Sequence, residues 1–199
     1  MGPPQAVDQP AVDTFVAAAH EAPEVAVRWL RRNPSLAARS SSWGESALQA
    51  ASHLGHTDLL QALVDGGVEL DLFALCALAD IQAVAAMLPS GVVGDARGVH
   101  GLPILHFAVV SGQVAMVRSL IAAGAAVNPP GASLSPLHSA VAVGSTELVH
   151  VLLEAGADAE VRDAFGATPP DWARELDGDH SEVVRLFSAR QGQRDVARR

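Results

Sequence analysis

A period of about 33 residues constrains this chain more than any other feature of its sequence. The first buried position of each unit recurs in steps of 33, 24, 33, 32 and 33, at Phe15, Leu48, Leu72, Leu105, Leu137 and Pro170. The residue expected to end the first helix of each unit gives the same steps, at Ala22, Gly55, Ala79, Gly112, Gly144 and Asp177. Because two independent sets of positions share one spacing, the chain is predicted to be a tandem array of small units.

Each unit reads as two short helices, which a glycine separates in units two, four and five. A hydroxyl residue such as Ser46 or Thr168 opens the first helix, because its side chain caps the free backbone amides there. The second helix carries apolar residues three and four positions apart, which places them on one face. Glycine ends the first helix because it takes the left-handed conformation readily, as predicted for Gly55, Gly112 and Gly144.

The segment Ser135–Ala140, SPLHSA, resembles the T-P-L-H-x-A signature of ankyrin repeats. A second match, Gly101–Ala108, has its proline one place early. The resemblance covers residues 12–190. It implies an all-α ankyrin-repeat solenoid of about six stacked helix-turn-helix units with short β-turn or hairpin fingers. It also implies that His106 and His138 tie the loop backbones of adjacent units together.

The period divides the chain into units of roughly 12–43, 44–69, 70–98, 99–131, 132–163 and 164–190. We expect one domain over 12–190, a flexible tail over 1–11 and a flexible Arg-rich tail over 191–199. The step of 24 residues between units two and three is short of a full period. The segment Gly67–Asp71 leads almost directly into the next helix, so the finger is predicted to be missing there.

Composition narrows the function classes. The formal net charge of −9 opposes non-specific binding to nucleic acid or to an acidic membrane surface. We expect no secretory signal at the start of the chain and no membrane span, since no apolar run approaches roughly 18 residues. The single Cys76 cannot form an internal disulfide, which suits the reducing cytoplasm. The use of Arg without Lys is typical of a GC-rich, bacterial genome. We expect the protein to be a monomer.

No catalytic motif is found, so the chain is not predicted to be an enzyme. Cys76 falls at a small buried position, where a thiol is usually inert packing. The glycine-rich segment Gly91–Gly101 lacks the preceding strand of a dinucleotide-binding loop and is predicted to be a variant finger.

The eight histidines raise the question of a metal site. His20 and His53 occupy equivalent positions of neighbouring first helices. Stacked units should hold them about 10 Å apart, too far to share a zinc ion whose ligand bonds are about 2 Å long. Glu21 lies near His20, but no third or fourth ligand is evident. We therefore expect no metal and no cofactor.

Large residues at finger tips and on the outward positions of first helices are the candidate binding residues. Exposed aromatic residues and arginines carry much of the energy of protein interfaces. The predicted partner-binding set is Trp43, His53, Arg97, His100, Phe107, Val110, Ser111, Val143, Arg162, Phe165 and Trp172. For Phe107 and Trp172, packing inside the stack remains an alternative.

The sequence thus favours a non-catalytic protein-protein interaction module that binds an unidentified partner protein through a concave groove and its finger tips. The first alternative is an acidic inhibitor or nucleic-acid mimic that acts through its negative charge. The second is a metal-handling enzyme that uses His20, Glu21 and His53.

Overall fold

The structure is a computed structural model that describes residues 7–88, 94–176 and 180–197. Within these ranges twelve α-helices follow one another, and the helices of each consecutive pair pack together. The helices are α1 Gln9–Glu21, α2 Pro23–Arg32, α3 Ala47–Leu54, α4 Thr57–Asp65, α5 Leu72–Ala77, α6 Ile81–Met87, α7 Ile104–Val110, α8 Val114–Ala122, α9 Pro136–Val143, α10 Thr146–Glu154, α11 Pro169–Glu175 and α12 Ser181–Ala197.

The predicted caps determine where these helices begin. The Ser46 and Thr168 hydroxyls accept from the backbone amides of Gln49 and Asp171, and each of those side chains bonds back to the cap. Such reciprocal pairs satisfy two amides that the helix itself leaves unpaired. The Ser135 hydroxyl caps α9 by accepting from the amide of His138, and here the described residues form no reciprocal bond to the backbone of Ser135.

The six helix pairs stack in chain order. The first helices α1, α3, α5, α7, α9 and α11 each pack on the next, and α2 packs on α4, α8 on α10 and α10 on α12. Two apolar clusters fill the interior and meet at α5, where Ala74 and Ala77 face one cluster and Leu75 and Cys76 the other. Burial raises the pKa of the Cys76 thiol to about 12, so this cysteine is packing, as predicted.

Unit three has no finger. Only residues 66–71 separate α4 from α5, whereas residues 155–168 separate α10 from α11. Helix α5 is six residues long, and α3 therefore also contacts α7 directly. Units two and four meet across the short unit three, and this contact positions the sites described below.

Fingers are present elsewhere, although the described residues form no sheet. Two isolated β-bridges, Ser40 to Ser46 and Arg97 to Pro103, close the fingers before α3 and α7. Helix α1 already begins at Gln9, inside the expected N-terminal tail, and α12 continues through the expected C-terminal tail to Ala197. Residues 1–6, 89–93, 177–179 and 198–199 lie outside the described residues, and they include the start of the glycine-rich segment and the ends of both expected tails. In the described part, no helix is long and apolar enough to cross a membrane.

Candidate functional site

The finger before α11 presents the most exposed aromatic side chain of the described residues. Phe165 is 95% exposed at its tip. One Asp163 carboxylate oxygen accepts from the backbone amides of Phe165 and Ala167, both at 2.9 Å. The Arg162 guanidinium donates to the carbonyl of Gly166 at 2.6 Å. These bonds fix the finger, so Phe165 is held in water by an ordered backbone.

The finger before α3 presents a second aromatic residue. Trp43 is 54% exposed and lies between the bridged residues Ser40 and Ser46. Its indole nitrogen lies 3.3 Å from Oε2 of Glu45. Trp43 and Phe165 therefore lie on exposed finger tips, as the sequence predicted.

Phe107 does not line a groove, and that expectation was wrong. Its side chain is completely buried. The ring packs 4.9 Å from the ring of Phe73 on α5 and lies under Gly98, where an added Cβ would come within 2.5 Å of it. The finger before α7 closes over Phe107 because only glycine at position 98 lets the backbone approach so closely.

Two other members of the predicted partner-binding set, Trp172 and Arg97, form contacts within the protein. Trp172 is half-buried; its indole donates to Asp163 at 2.9 Å and its ring lies 5.1 Å from that of His138. Arg97 pairs with Asp95 at 2.9 Å and donates to the carbonyl of Pro130 at 2.7 Å. The remaining members are the half-buried Val110 and Ser111, the exposed Val143 and Arg162, and His53 and His100, which are described below.

The two signature histidines behave differently. His138 lies 2.8 Å from the Ser135 hydroxyl, and its Nε2 donates to the carbonyl of Ala167 in the next finger at 3.1 Å, as the family resemblance implied. His106 instead donates from Nε2 to the carbonyl of His53 at 2.8 Å, which reaches back past unit three. The expectation for His106 was wrong: its Nε2 bonds to α3, which α7 contacts directly, and its Nδ1 lies 2.8 Å from the Ser139 hydroxyl on α9, so neither nitrogen bonds to the backbone of the next finger.

Burial lowers the pKa of His106 to about 4 from an ordinary value of 6.5. The unfolded chain therefore takes up the proton first, so this stability is complete above pH 6.5 and is lost as the pH falls toward 4. We expect His106 to account for a loss of about 2 kcal/mol between pH 7.5 and pH 5.

Urea unfolding at several pH values, for the wild type and His106→Gln, measures that share. Between pH 7.5 and pH 5, the free energy of unfolding of His106→Gln should fall by about 2 kcal/mol less than that of the wild type. His150→Gln removes an exposed histidine and should follow the wild type. Parallel pH profiles for the wild type and His106→Gln would show that His106 does not resist protonation.

A cluster of three histidines around one glutamate lies where the fingers before α3 and α7 meet. Glu45 Oε1 lies 3.4 Å from Nε2 of His20, 3.6 Å from Nδ1 of His53 and 3.4 Å from Nε2 of His100. The rings of His20 and His53 are 5.3 Å apart, so the predicted separation was wrong. A separation of about 10 Å is the spacing of neighbouring helix axes. The two rings are closer because both side chains extend toward each other between α1 and α3.

The carboxylate of this cluster was not identified from the sequence. Glu45, not Glu21, faces His20, since it ends the finger that lies beside α1 and α3. The sequence did contain one clue to Glu45. It is an acidic residue next to the start of α3, and His20 and His53 occupy equivalent positions on α1 and α3. No pattern in the sequence placed His100 there, because its position depends on the direct contact between α3 and α7.

Comparison with known proteins agrees with the stacked helix pairs of the structure. A family model described as ankyrin repeats matches in three copies, at residues 14–130, 72–163 and 105–197. Human cyclin-dependent kinase inhibitor 2A is 34% identical over 113 residues, 56% of this chain and 71% of that protein. Bovine cyclin-dependent kinase 4 inhibitor B is 31% identical over 131 residues, 65% of this chain and 98% of that protein.

Two further relatives match over shorter segments. Human protein phosphatase 1 regulatory subunit 27 is 35% identical over 88 residues, 44% of this chain and 55% of that protein. The fruit-fly E3 ubiquitin-protein ligase Ufd4 is 39% identical over 90 residues, 45% of this chain, but these are 3% of its own length. Similarity to the ligase is thus confined to a small part of it.

Proposed function

Because this chain belongs to the ankyrin-repeat family, we propose that it is a non-catalytic module that binds a partner protein through its concave groove and finger tips. The names of its relatives support binding to another protein, since they include inhibitors of cyclin-dependent kinases and a regulatory subunit of a phosphatase. The proposal includes a monomer that acts in the cytoplasm and does not bind nucleic acid or a membrane.

One observation carries this proposal: Phe165 is 95% exposed on a finger whose backbone is already ordered. Keeping an aromatic ring in water forgoes the roughly 1.5–3 kcal/mol that burial of such a side chain is worth. Binding would recover this energy, and the ordered finger lowers the entropy cost of docking. Arg162 lies on the same finger, and Trp43, which is 54% exposed on the finger before α3, offers a second aromatic side chain for contact.

The burial pattern narrows the predicted contact set. Phe107 is excluded because it is completely buried, and Trp172 and Arg97 are engaged in contacts within the protein. We therefore assign the binding energy mainly to four exposed members of the set, Trp43, Val143, Arg162 and Phe165. The fifth exposed member, His100, lies beside Glu45.

Phe165→Ala and Trp43→Ala should each weaken partner binding by about tenfold or more, the effect expected of an interface anchor. Their melting temperatures should stay close to that of the wild type, because both side chains are exposed. Met87→Ala is the matched control, since Met87 is 49% exposed but lies on a second helix. The measurement is titration of the partner, isolated first on immobilised wild-type protein, against each variant.

The titration also separates the two modes of binding. Equal affinity of Phe165→Ala, Trp43→Ala and the wild type would contradict the finger-tip assignment. If binding also fell steeply with salt, the result would support the acidic alternative, in which the net charge carries the interaction.

A further inference from the structure

Glu45 is a buried carboxylate with an unused oxygen. Its side chain is 5% exposed, and Oε1 has no hydrogen-bond partner among the described residues. Three imidazole nitrogens surround this oxygen at 3.4–3.6 Å, at or beyond the usual limit of a hydrogen bond. A buried charge without a partner is costly, so a compensating positive charge is expected at this point.

The hydrogen bonds of His20 and His53 show which ring nitrogen of each is free to bind a cation. His20 Nδ1 lies 3.0 Å from the carbonyl of Val16, and His53 Nδ1 lies 3.0 Å from the carbonyl of Gln49. A carbonyl only accepts, so both Nδ1 atoms carry hydrogen. In neutral His20, Nε2 then directs a lone pair at Glu45 Oε1, which also bears lone pairs. Two acceptors face each other, and either a proton or a cation must lie between them.

The remaining geometry favours a metal cation. An Nδ1–H donated to a backbone carbonyl is the usual outer contact of a histidine that ligates a metal through Nε2. In a tetrahedral site with bonds of about 2.0–2.1 Å, neighbouring ligand atoms are about 3.3–3.5 Å apart. The two Nε2 atoms that face Glu45 Oε1, those of His20 and His100, each lie 3.4 Å from it, close to that edge length. His53 faces Oε1 with the Nδ1 that carries hydrogen, so its ligand atom would be the opposite ring nitrogen, Nε2. One ligand atom from each of His20, Glu45 and His53 lies within 4.8 Å of the other two.

We propose that His20, Glu45 and His53 bind a divalent transition-metal ion, Zn²⁺ in particular. His100 lies outside this group of three, and it would become the fourth donor by turning its Nε2, which lies 3.4 Å from Glu45 Oε1, toward the ion. Imidazole and carboxylate suit Zn²⁺, and four protein ligands make a closed structural site rather than a catalytic one.

His100 has an uncommon backbone conformation. Its φ of +57° is left-handed, an uncommon conformation for a residue other than glycine. Its ring lies 5.1 Å from that of His53. The metal would join α1, α3 and the fingers before α3 and α7, across the position where unit three lacks a finger. A tie at that point replaces the finger contacts that a complete unit three would supply.

The test is Zn²⁺ binding to protein first treated with a chelator and then dialysed. We expect one Zn²⁺ per chain, measured by metal analysis and by competition with a chromophoric chelator. We also expect the melting temperature to rise by about 5–10 °C when free Zn²⁺ exceeds its dissociation constant a hundredfold. Neither readout depends on the partner protein, so this proposal and the proposed function can fail separately.

Variants assign the ligands. Glu45→Gln, His20→Gln and His53→Gln should each weaken Zn²⁺ binding by about tenfold or more, and His100→Asn by a smaller factor. Asn is chosen at position 100 because it tolerates the left-handed conformation. His150→Gln is the control, since His150 forms an exposed pair with Glu154 at 3.3 Å and should leave binding unchanged.

Circular dichroism of each metal-free variant reports whether it folds. His20 is 28% exposed, so His20→Gln keeps the test valid should Glu45→Gln unfold. The proposal is overturned if the wild type takes up no stoichiometric Zn²⁺, or if His20→Gln binds it as tightly as the wild type. The wild-type melting temperature could instead rise on acidification and not with Zn²⁺. That result would show that a proton is shared between Glu45 and a histidine, and it would also overturn the metal assignment.

Discussion

Leu152→Ala should lower the free energy of unfolding by about 2–5 kcal/mol. Leu152 is completely buried on α10, which packs against α8, α9 and α12. Truncation removes apolar contacts and leaves a cavity between packed helices that cannot collapse fully. Because each unit of a solenoid is stabilised mainly by its neighbours, the loss should weaken several interfaces together. The measurement is urea unfolding of the wild type and the variant. If the dependence of the unfolding free energy on urea concentration is the same for both, the difference between their midpoints gives the change in free energy.

Glu154→Ala, two positions further along the same helix, is the matched control. Glu154 is exposed and pairs with His150 at 3.3 Å. An exposed pair of this kind contributes about 0–1 kcal/mol, so the variant should stay close to the wild type. Equal losses in Leu152→Ala and Glu154→Ala would mean that the buried face of α10 has been wrongly identified.

Gly55→Ala should cost about 2–5 kcal/mol, from two separate causes. Gly55 ends α3 with φ +71°, a left-handed conformation that costs an L-residue about 1–2 kcal/mol. An added Cβ would also lie 2.7 Å from the carbonyl oxygen of Val110 on α7. That oxygen is backbone and cannot swing aside, so overpacking adds about 1–3 kcal/mol.

Gly112→Ala separates the two causes. Gly112 has the same φ of +71°, but an added Cβ there meets no atom within 4 Å among the described residues. We expect this variant to lose only the conformational share, about 1–2 kcal/mol. Thermal and urea unfolding of both variants give the difference, which measures how tightly α3 packs on α7. If the two losses were the same, the direct contact between units two and four would be disproved.

Much of the fold follows from local patterns in the sequence. Hydroxyl caps at Ser46, Ser135 and Thr168 and the apolar spacing of the second helices predicted where helices begin and which faces are buried. The step of 24 residues predicted the missing finger of unit three. These features depend on backbone hydrogen bonds and on helical periodicity, which adjacent residues determine.

The candidate sites depend on contacts that no local pattern encodes. Phe107 looked like an exposed anchor, but it is buried because Gly98 lets the finger close over its ring. His106 bonds to the carbonyl of His53 because the short unit three lets α7 meet α3. Glu45 and His100 lie together for the same reason. An irregular unit changes which residues meet across it, and a regular period cannot predict such pairs.

Photo-crosslinking from position 165 tests the proposed binding surface most directly. A photoreactive phenylalanine analogue at position 165 should form a covalent adduct with the partner protein, since Phe165 is assigned to the interface. The same analogue at position 87, on the exposed surface of α6, should form little adduct. Strong crosslinking from position 87 and none from position 165 would contradict binding through the finger tips.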